Sequence, residues 1–88
     1  MSNQQSQKQE TLFTGGDRHL VHTFTDSSTL ASMSHDSVTE VLTLTFRNGR
    51  AYAYQAVPYA SAVALRDAHS AGKHFSQNIR GLYVSSVL

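Results

Sequence analysis

The stretch that decides the fold runs from Glu40 to Pro58, EVLTLTFRNGRAYAYQAVP. From Val41 to Arg47 apolar and polar residues alternate with a period of two, the pattern of a half-buried strand. Arg50 to Val57 is a second run, rich in aromatic and small residues. Between them stands Asn48-Gly49. This dipeptide signals a two-residue type I′ hairpin turn, which needs positive φ at both central positions. With those two residues as the loop, Arg47 lies opposite Arg50, Phe46 opposite Ala51, Thr45 opposite Tyr52, Leu44 opposite Ala53, Thr43 opposite Tyr54 and Leu42 opposite Gln55. Side chains alternate faces along a strand. One face then carries Leu42, Leu44, Phe46, Ala51 and Ala53, and is the expected core. The other carries Thr43, Thr45, Tyr52 and Tyr54, with Arg47 and Arg50 at the tip, and is the expected functional surface. The competing reading makes Tyr52 and Tyr54 ordinary sheet residues, half covered by the rest of the chain.

Outward from the hairpin, the rest reads as a small α+β domain. His19 to Thr25 predicts a strand in which Leu20, His22 and Phe24 alternate with Val21 and Thr23. Thr29 to Ser34 predicts a second, weaker one, with Leu30 and Met33 inward. Asp26-Ser27-Ser28 and His35-Asp36-Ser37 read as turns. Val57-Pro58 ends the sheet and opens a helix, because proline lacks an N–H that the first helical turn would leave unsatisfied anyway. Tyr59 to His69 is alanine-rich and helical, with Ser61, Ala64, Leu65 and Ala68 expected on the packed face. Ser70-Ala71-Gly72 is read as a break. A second helix follows over about Lys73 to Arg80, with Phe75 and Ile79 one turn apart on one side, and Gly81 suits the position after its end. Leu82 to Leu88 is left as either a final strand or an extended tail. The expected architecture is an antiparallel meander of three to four strands with two C-terminal helices packed on one face.

The chain has 88 residues and a net charge of +1, enough for one domain. Residues 1 to 16 are Gln/Ser-rich and read as a disordered polar tail, with Leu12 and Phe13 as candidates to dock on the domain; residues 17 to 88 form that domain. There is no cysteine, which excludes disulfides and thiolate metal sites and fits a reducing compartment. No apolar run approaches the ~20 residues that span a bilayer, and the N-terminus has no signal-peptide core, so a cytoplasmic protein is expected, in a bacterium or in the host cell of a phage. Charge is unevenly spread. From Val41 onward Arg47, Arg50, Arg66, Lys73 and Arg80 face Asp67 alone, whereas from Asp17 to Glu40 only Arg18 opposes Asp17, Asp26, Asp36 and Glu40. So small a net charge argues against a strong general nucleic-acid binder.

One set of residues carries a family resemblance. Leu44, Phe46, Gly49, Tyr52, Tyr54, Val57 and Pro58, then Ala68, Ser70, Gly72 and Phe75, then Ile79, Arg80 and Tyr83 follow a pattern that resembles the KTSC domain over about residues 27 to 85. That family is named for the C-terminus of some lysyl-tRNA synthetases and also occurs as small stand-alone bacterial and phage proteins. The resemblance implies a small α+β domain, suggests RNA binding, and supplies no catalytic residues. It leaves out the first 26 residues, so the strand at His19 to Thr25 is expected to be an addition of this chain.

Motifs for chemistry are sparse. His19 and His22 point to opposite faces if they lie on a strand, which argues against a shared metal; His35, His69 and His74 are scattered and read as solvated. There is no G-x-S-x-G elbow and no evident nucleophilic triad. Ser70-Ala71-Gly72-Lys73 resembles half of a phosphate loop, without the first glycine or the preceding strand, and reads more simply as a joint between helices. The expected function is therefore a non-enzymatic binding module without cofactor or metal. Its candidate binding residues are Tyr52, Tyr54, Arg47 and Arg50, with Lys73, Arg80 and Tyr83 from the C-terminal half. The first reading is a small protein-binding adaptor or inhibitor, in the manner of a phage protein acting on a host enzyme, since aromatic and arginine side chains make protein hot spots. The alternative is RNA or single-stranded DNA binding, since rings on a sheet flanked by arginines stack bases and neutralise phosphates.

Overall fold

The computed structural model describes residues 18–88; the polar segment 1–16, with Leu12 and Phe13, lies outside the described residues. The order of elements is β1 (His19–Thr23), β2 (Leu30–Asp36), β3 (Val41–Phe46), β4 (Ala51–Tyr54), α1 (Tyr59–Asp67), α2 (Ala71–Asn78) and β5 (Ser85–Val87). The strands form one antiparallel sheet in the order β1-β2-β3-β4-β5. The α+β meander holds, with one strand more than the three to four expected, because Ser85–Val87 pairs with β4.

One face of the sheet and the inner sides of both helices make the core. Leu20, Met33, Leu42, Leu44 and Tyr54 from the strands meet Ala62, Leu65, Ala71, Phe75 and Ile79. Leu30, Leu42, Leu44 and Leu65 are fully buried, and each such side chain contributes roughly 1.5–3 kcal/mol relative to exposure. Leu30 and Met33 are an odd number of residues apart, so a regular strand would send them to opposite faces. A register shift between Leu30 and Ser32 inserts one residue, and that bulge brings both side chains to the same side.

The structure departs from expectation at three places. Strand β2 is longer than the sequence suggests, and His35, read as solvated, is fully buried on it. Its Nε2–H donates to the carbonyl of Val57 at 2.7 Å and so ties β2 to the connector before α1. Asp36 ends the strand, and its Oδ1 accepts from the N–H groups of Val38 and Thr39. Those two bonds favour the carboxylate and hold it below the usual 3.8.

The second departure is the hairpin. Gly49 has φ 88°, whereas Asn48 is not among the residues of positive φ, so the turn is not type I′. The Phe46 N–H donates to Arg50 O and the Gly49 N–H to Phe46 O, which makes Arg47, Asn48 and Gly49 a three-residue loop closed by a left-handed glycine bulge. Thr45 pairs with Ala51, Leu44 with Tyr52, Thr43 with Ala53 and Leu42 with Tyr54. A slip of one residue turns every side chain of a strand over. Tyr52 and Tyr54 therefore share the face of Leu42 and Leu44, and Ala51 and Ala53 go to the open face with Thr43 and Thr45. The cause is Arg47. Its N–H donates to Thr29 O, and its guanidinium donates to Phe24 O at 2.6 Å and Ser27 O at 3.0 Å. Recruited by the β1–β2 loop, it joins the turn instead of facing Arg50.

The third departure is in the helices. Pro58 caps α1 from just outside it, and the buried residues of that helix are Ala62 and Leu65; Ala64, expected inside, is exposed. Helix α2 begins two residues earlier than expected. Only Ser70 remains outside, as the cap, with its hydroxyl accepting from the Lys73 N–H. Phe75 and Ile79 are buried together, as their spacing predicts.

Candidate functional site

The sequence-derived binding residues do not form one surface. Tyr54 is 6% exposed, with its ring 5.9 Å from that of Phe75. Tyr52 is half-buried, 5.7 Å edge-on to Phe46, which in turn packs 5.3 Å from Phe75. The two tyrosines thus belong to an aromatic cluster under α2, the arrangement in which ring edges meet ring faces. Burial, with the neighbouring Tyr52, pushes the Tyr54 phenol above 10.0, and the charge of Arg80 acts against that rise. The Tyr-x-Tyr element is a packing device here. Arg47 is engaged in holding the β1–β2 loop, Arg50 stands exposed at the base of the hairpin loop opposite Phe46, and Tyr83 is half-buried against the core. Arg80 and Lys73 are both exposed, but Lys73 is in the first turn of α2 and Arg80 past its end, so no single face gathers the seven residues.

What the fold leaves open is the edge made by β5. Strand β4 lies on one side of it and nothing among the described residues on the other. Gln55 N–H donates to Val84 O, and Leu88 N–H donates to Ala51 O. Backbone groups in an antiparallel ladder alternate direction, so the N–H and C=O groups of Ser85 and Val87 point away from the sheet. Around them Leu82, Val84, Val87 and Leu88 are each about two-thirds or more exposed. Val84 and Leu88 fall on the open side of the sheet with Ala51 and Ala53, and Val87 on the side of its partner Tyr52. Leu82 to Leu88 contains no charged residue, whereas β1, the opposite edge, is flanked by Arg18 and carries His19 and His22. Free edges are commonly protected by charge or proline, and this one is not. The sequence signal was present in the uncharged run LYVSSVL, but periodicity over three residues cannot separate a strand from a tail.

The sequence pattern of the KTSC domain matches residues 26–83. The chain belongs to the KTSC domain family. A crystal structure of a KTSC domain protein from Yersinia pestis superposes with a TM-score of 0.74 over 81% of this chain and 99% of that one, at 24% sequence identity, a likeness of fold. A second relative, an uncharacterized protein of Stutzerimonas stutzeri (strain A1501), is 41% identical over 51 residues, covering 58% of this chain and 72% of its own. Most of the KTSC pattern in this chain is explained by packing. Leu44, Tyr54, Val57, Phe75 and Ile79 are core, Gly49 takes the positive φ, and Gly72 sits where a Cβ would come within 2.9 Å of the Thr29 hydroxyl. Strands β1 and β5 both lie outside residues 26–83, but the likeness of fold to the Yersinia pestis protein reaches over 81% of this chain, further than those residues, so it does not support β1 as an addition of this chain. No helix among the described residues is long and apolar enough to cross a membrane.

Proposed function

We propose that this KTSC domain is a protein-binding module, an adaptor or inhibitor that takes up an extended segment of its partner as a sixth strand beside β5. The observation that supports this reading is the uncharged, uncovered edge: outward backbone groups at Ser85 and Val87 bordered by exposed Leu82, Val84, Val87 and Leu88. In strand addition the main chain supplies affinity and alternate side chains supply specificity. A partner segment with apolar residues at every second position matches Val84 and Leu88. The nucleic-acid reading relied on tyrosine rings turned away from the core. With Tyr54 buried and Tyr52 packed against Phe46, that stacking surface does not support it.

The test is capture of partners from host lysate, with and without nuclease treatment, by the intact chain, by Val87→Pro and by Val84→Lys. Proline at position 87 removes an outward N–H and spares the ladder to β4, since proline is tolerated on edge strands. Both variants are expected to keep the circular-dichroism spectrum and lose the captured protein. Capture that survives both substitutions, or that nuclease abolishes, refutes the proposal.

A further inference from the structure

A cavity opens at the N-terminal end of α2. It is a cleft of about 740 Å³ between the β1–β2 loop, residues 24–29, and the joint between the helices, residues 68–72. Ionisable side chains line it from three elements, His22 from β1, Arg66 and His69 from α1 and the residues after it, and Lys73 from α2, together with Asp26 of the loop. Arg66 pairs with Asp67 through Nε and one Nη, at 2.8 and 3.0 Å, which leaves other donors of its fork uncommitted to that pair.

The walls are built rather than merely adjacent. Ser27 Oγ accepts from the N–H groups of both Thr29 and Leu30. Arg47 clamps the same loop through Phe24 O and Ser27 O. On the opposite wall Gly72 approaches Thr29 so closely that even a methyl group would collide. A loop fixed at both ends and held against the helix presents its side chains without an ordering cost on binding. The volume is that of a small-molecule site, generally about 300–1,000 Å³.

We infer that this cleft binds a small phosphomonoester, with Lys73 and Arg66 on the phosphate and the hydroxyl-rich walls on the organic part. Lys73 forms no ion pair among the described residues and Arg66 keeps donors outside its pair with Asp67, so both can take up an anion. Ammonium and guanidinium groups both suit phosphate oxygens, the second through its planar fork. Ser28, Thr29, Ser76 and Gln77 line the remaining space with donors and acceptors suited to a sugar or nucleoside. Hydroxyl and amide groups dominate that lining, which disfavours an apolar ligand.

The experiment is an amide chemical-shift titration of the full chain with AMP, glucose 6-phosphate, inorganic phosphate, adenosine and glucose. At least one of the two esters is expected to move the amides of Ser28, Thr29, Gly72 and Lys73 saturably, and more tightly than inorganic phosphate, with adenosine and glucose inert; which ester wins separates a nucleotide from a sugar phosphate. Lys73→Glu, at an exposed position that the fold does not need, is expected to weaken that ester at least tenfold with an unchanged spectrum elsewhere. Val87→Pro is expected to leave the titration as it is. The inference fails if neither ester moves those amides, if inorganic phosphate or the parent alcohols bind as well, or if Lys73→Glu binds within twofold. It also fails if an oligothymidine without terminal phosphate binds there more tightly than both esters, which would make the cleft a nucleic-acid site.

Discussion

Replacing Tyr54 by alanine separates the two possible registers of the central hairpin. In the observed register Tyr54 lies opposite Leu42, is 6% exposed and sets its ring 5.9 Å from Phe75. Removing a buried aromatic ring costs about 3–5 kcal/mol, from lost transfer energy and the cavity left behind. Leu42 and Phe75 come from different layers, so little collapse is available to refill that space, and the upper part of the range applies. A domain is stable by roughly 5–15 kcal/mol, and a small one sits near the bottom. Urea unfolding followed by circular dichroism is therefore expected to show a midpoint lowered by about half or more, with an unchanged slope. Thr43→Ala, on the open face beside Ala53, is the control and is expected to cost less than about 1 kcal/mol, as surface strand substitutions do. Equal and small losses for the two variants would put the tyrosines on the open face and refute the three-residue loop. Tyr54→Phe keeps the ring and is expected to stay within about 1.5 kcal/mol of the parent.

Three further outcomes follow from named contacts. Gly49→Val is expected to cost more than about 1 kcal/mol in the same assay, because a β-branched residue is strained at φ 88°, although its Cβ would meet nothing within 4 Å; unchanged stability would remove the left-handed turn. Gly72→Ala is expected to lower stability by roughly 1–3 kcal/mol despite the helical preference of alanine, because its Cβ would meet Thr29 Oγ1 at 2.9 Å and Thr29 Cβ at 3.2 Å, and Thr29→Ala in the same chain is expected to restore part of the loss. At alkaline pH the buried Tyr54 phenol titrates above 10.0 in the folded chain, so the unfolded chain releases that proton first. The folded state then binds more protons, and its stability is full below pH 10 and falls as pH rises through and above it. Unfolding midpoints measured between pH 8 and 11 are expected to show that fall, and Tyr54→Phe is expected to reduce it.

Local pattern was enough for much of the architecture. The alternation in Val41–Phe46 and in Leu20, His22 and Phe24 marks strands because side chains on a strand repeat every two residues. Pro58 marks the start of a helix because its ring cannot donate, and Phe75 and Ile79 mark a buried face because they are one turn apart. Each of these signals concerns residues within a few positions of each other, where backbone geometry alone relates sequence to structure. The registers and the surfaces were decided over longer distances. Asn48-Gly49 is compatible with a two-residue turn and with a three-residue turn closed by a glycine bulge. The choice between them was made by carbonyls at Phe24, Ser27 and Thr29, which draw Arg47 out of the strand. That single step carried Tyr52 and Tyr54 from the expected binding face into the core. His35 looked like a solvated turn residue until the Val57 carbonyl, twenty-two positions away, gave its ring a buried partner. The run from Leu82 to Leu88 became a strand only because β4 had an unpaired side to offer. A neutral, apolar edge, and a cleft walled by residues from both halves of the chain, exist only once the chain is packed, since no local signal records which distant backbone or side chain will arrive beside it.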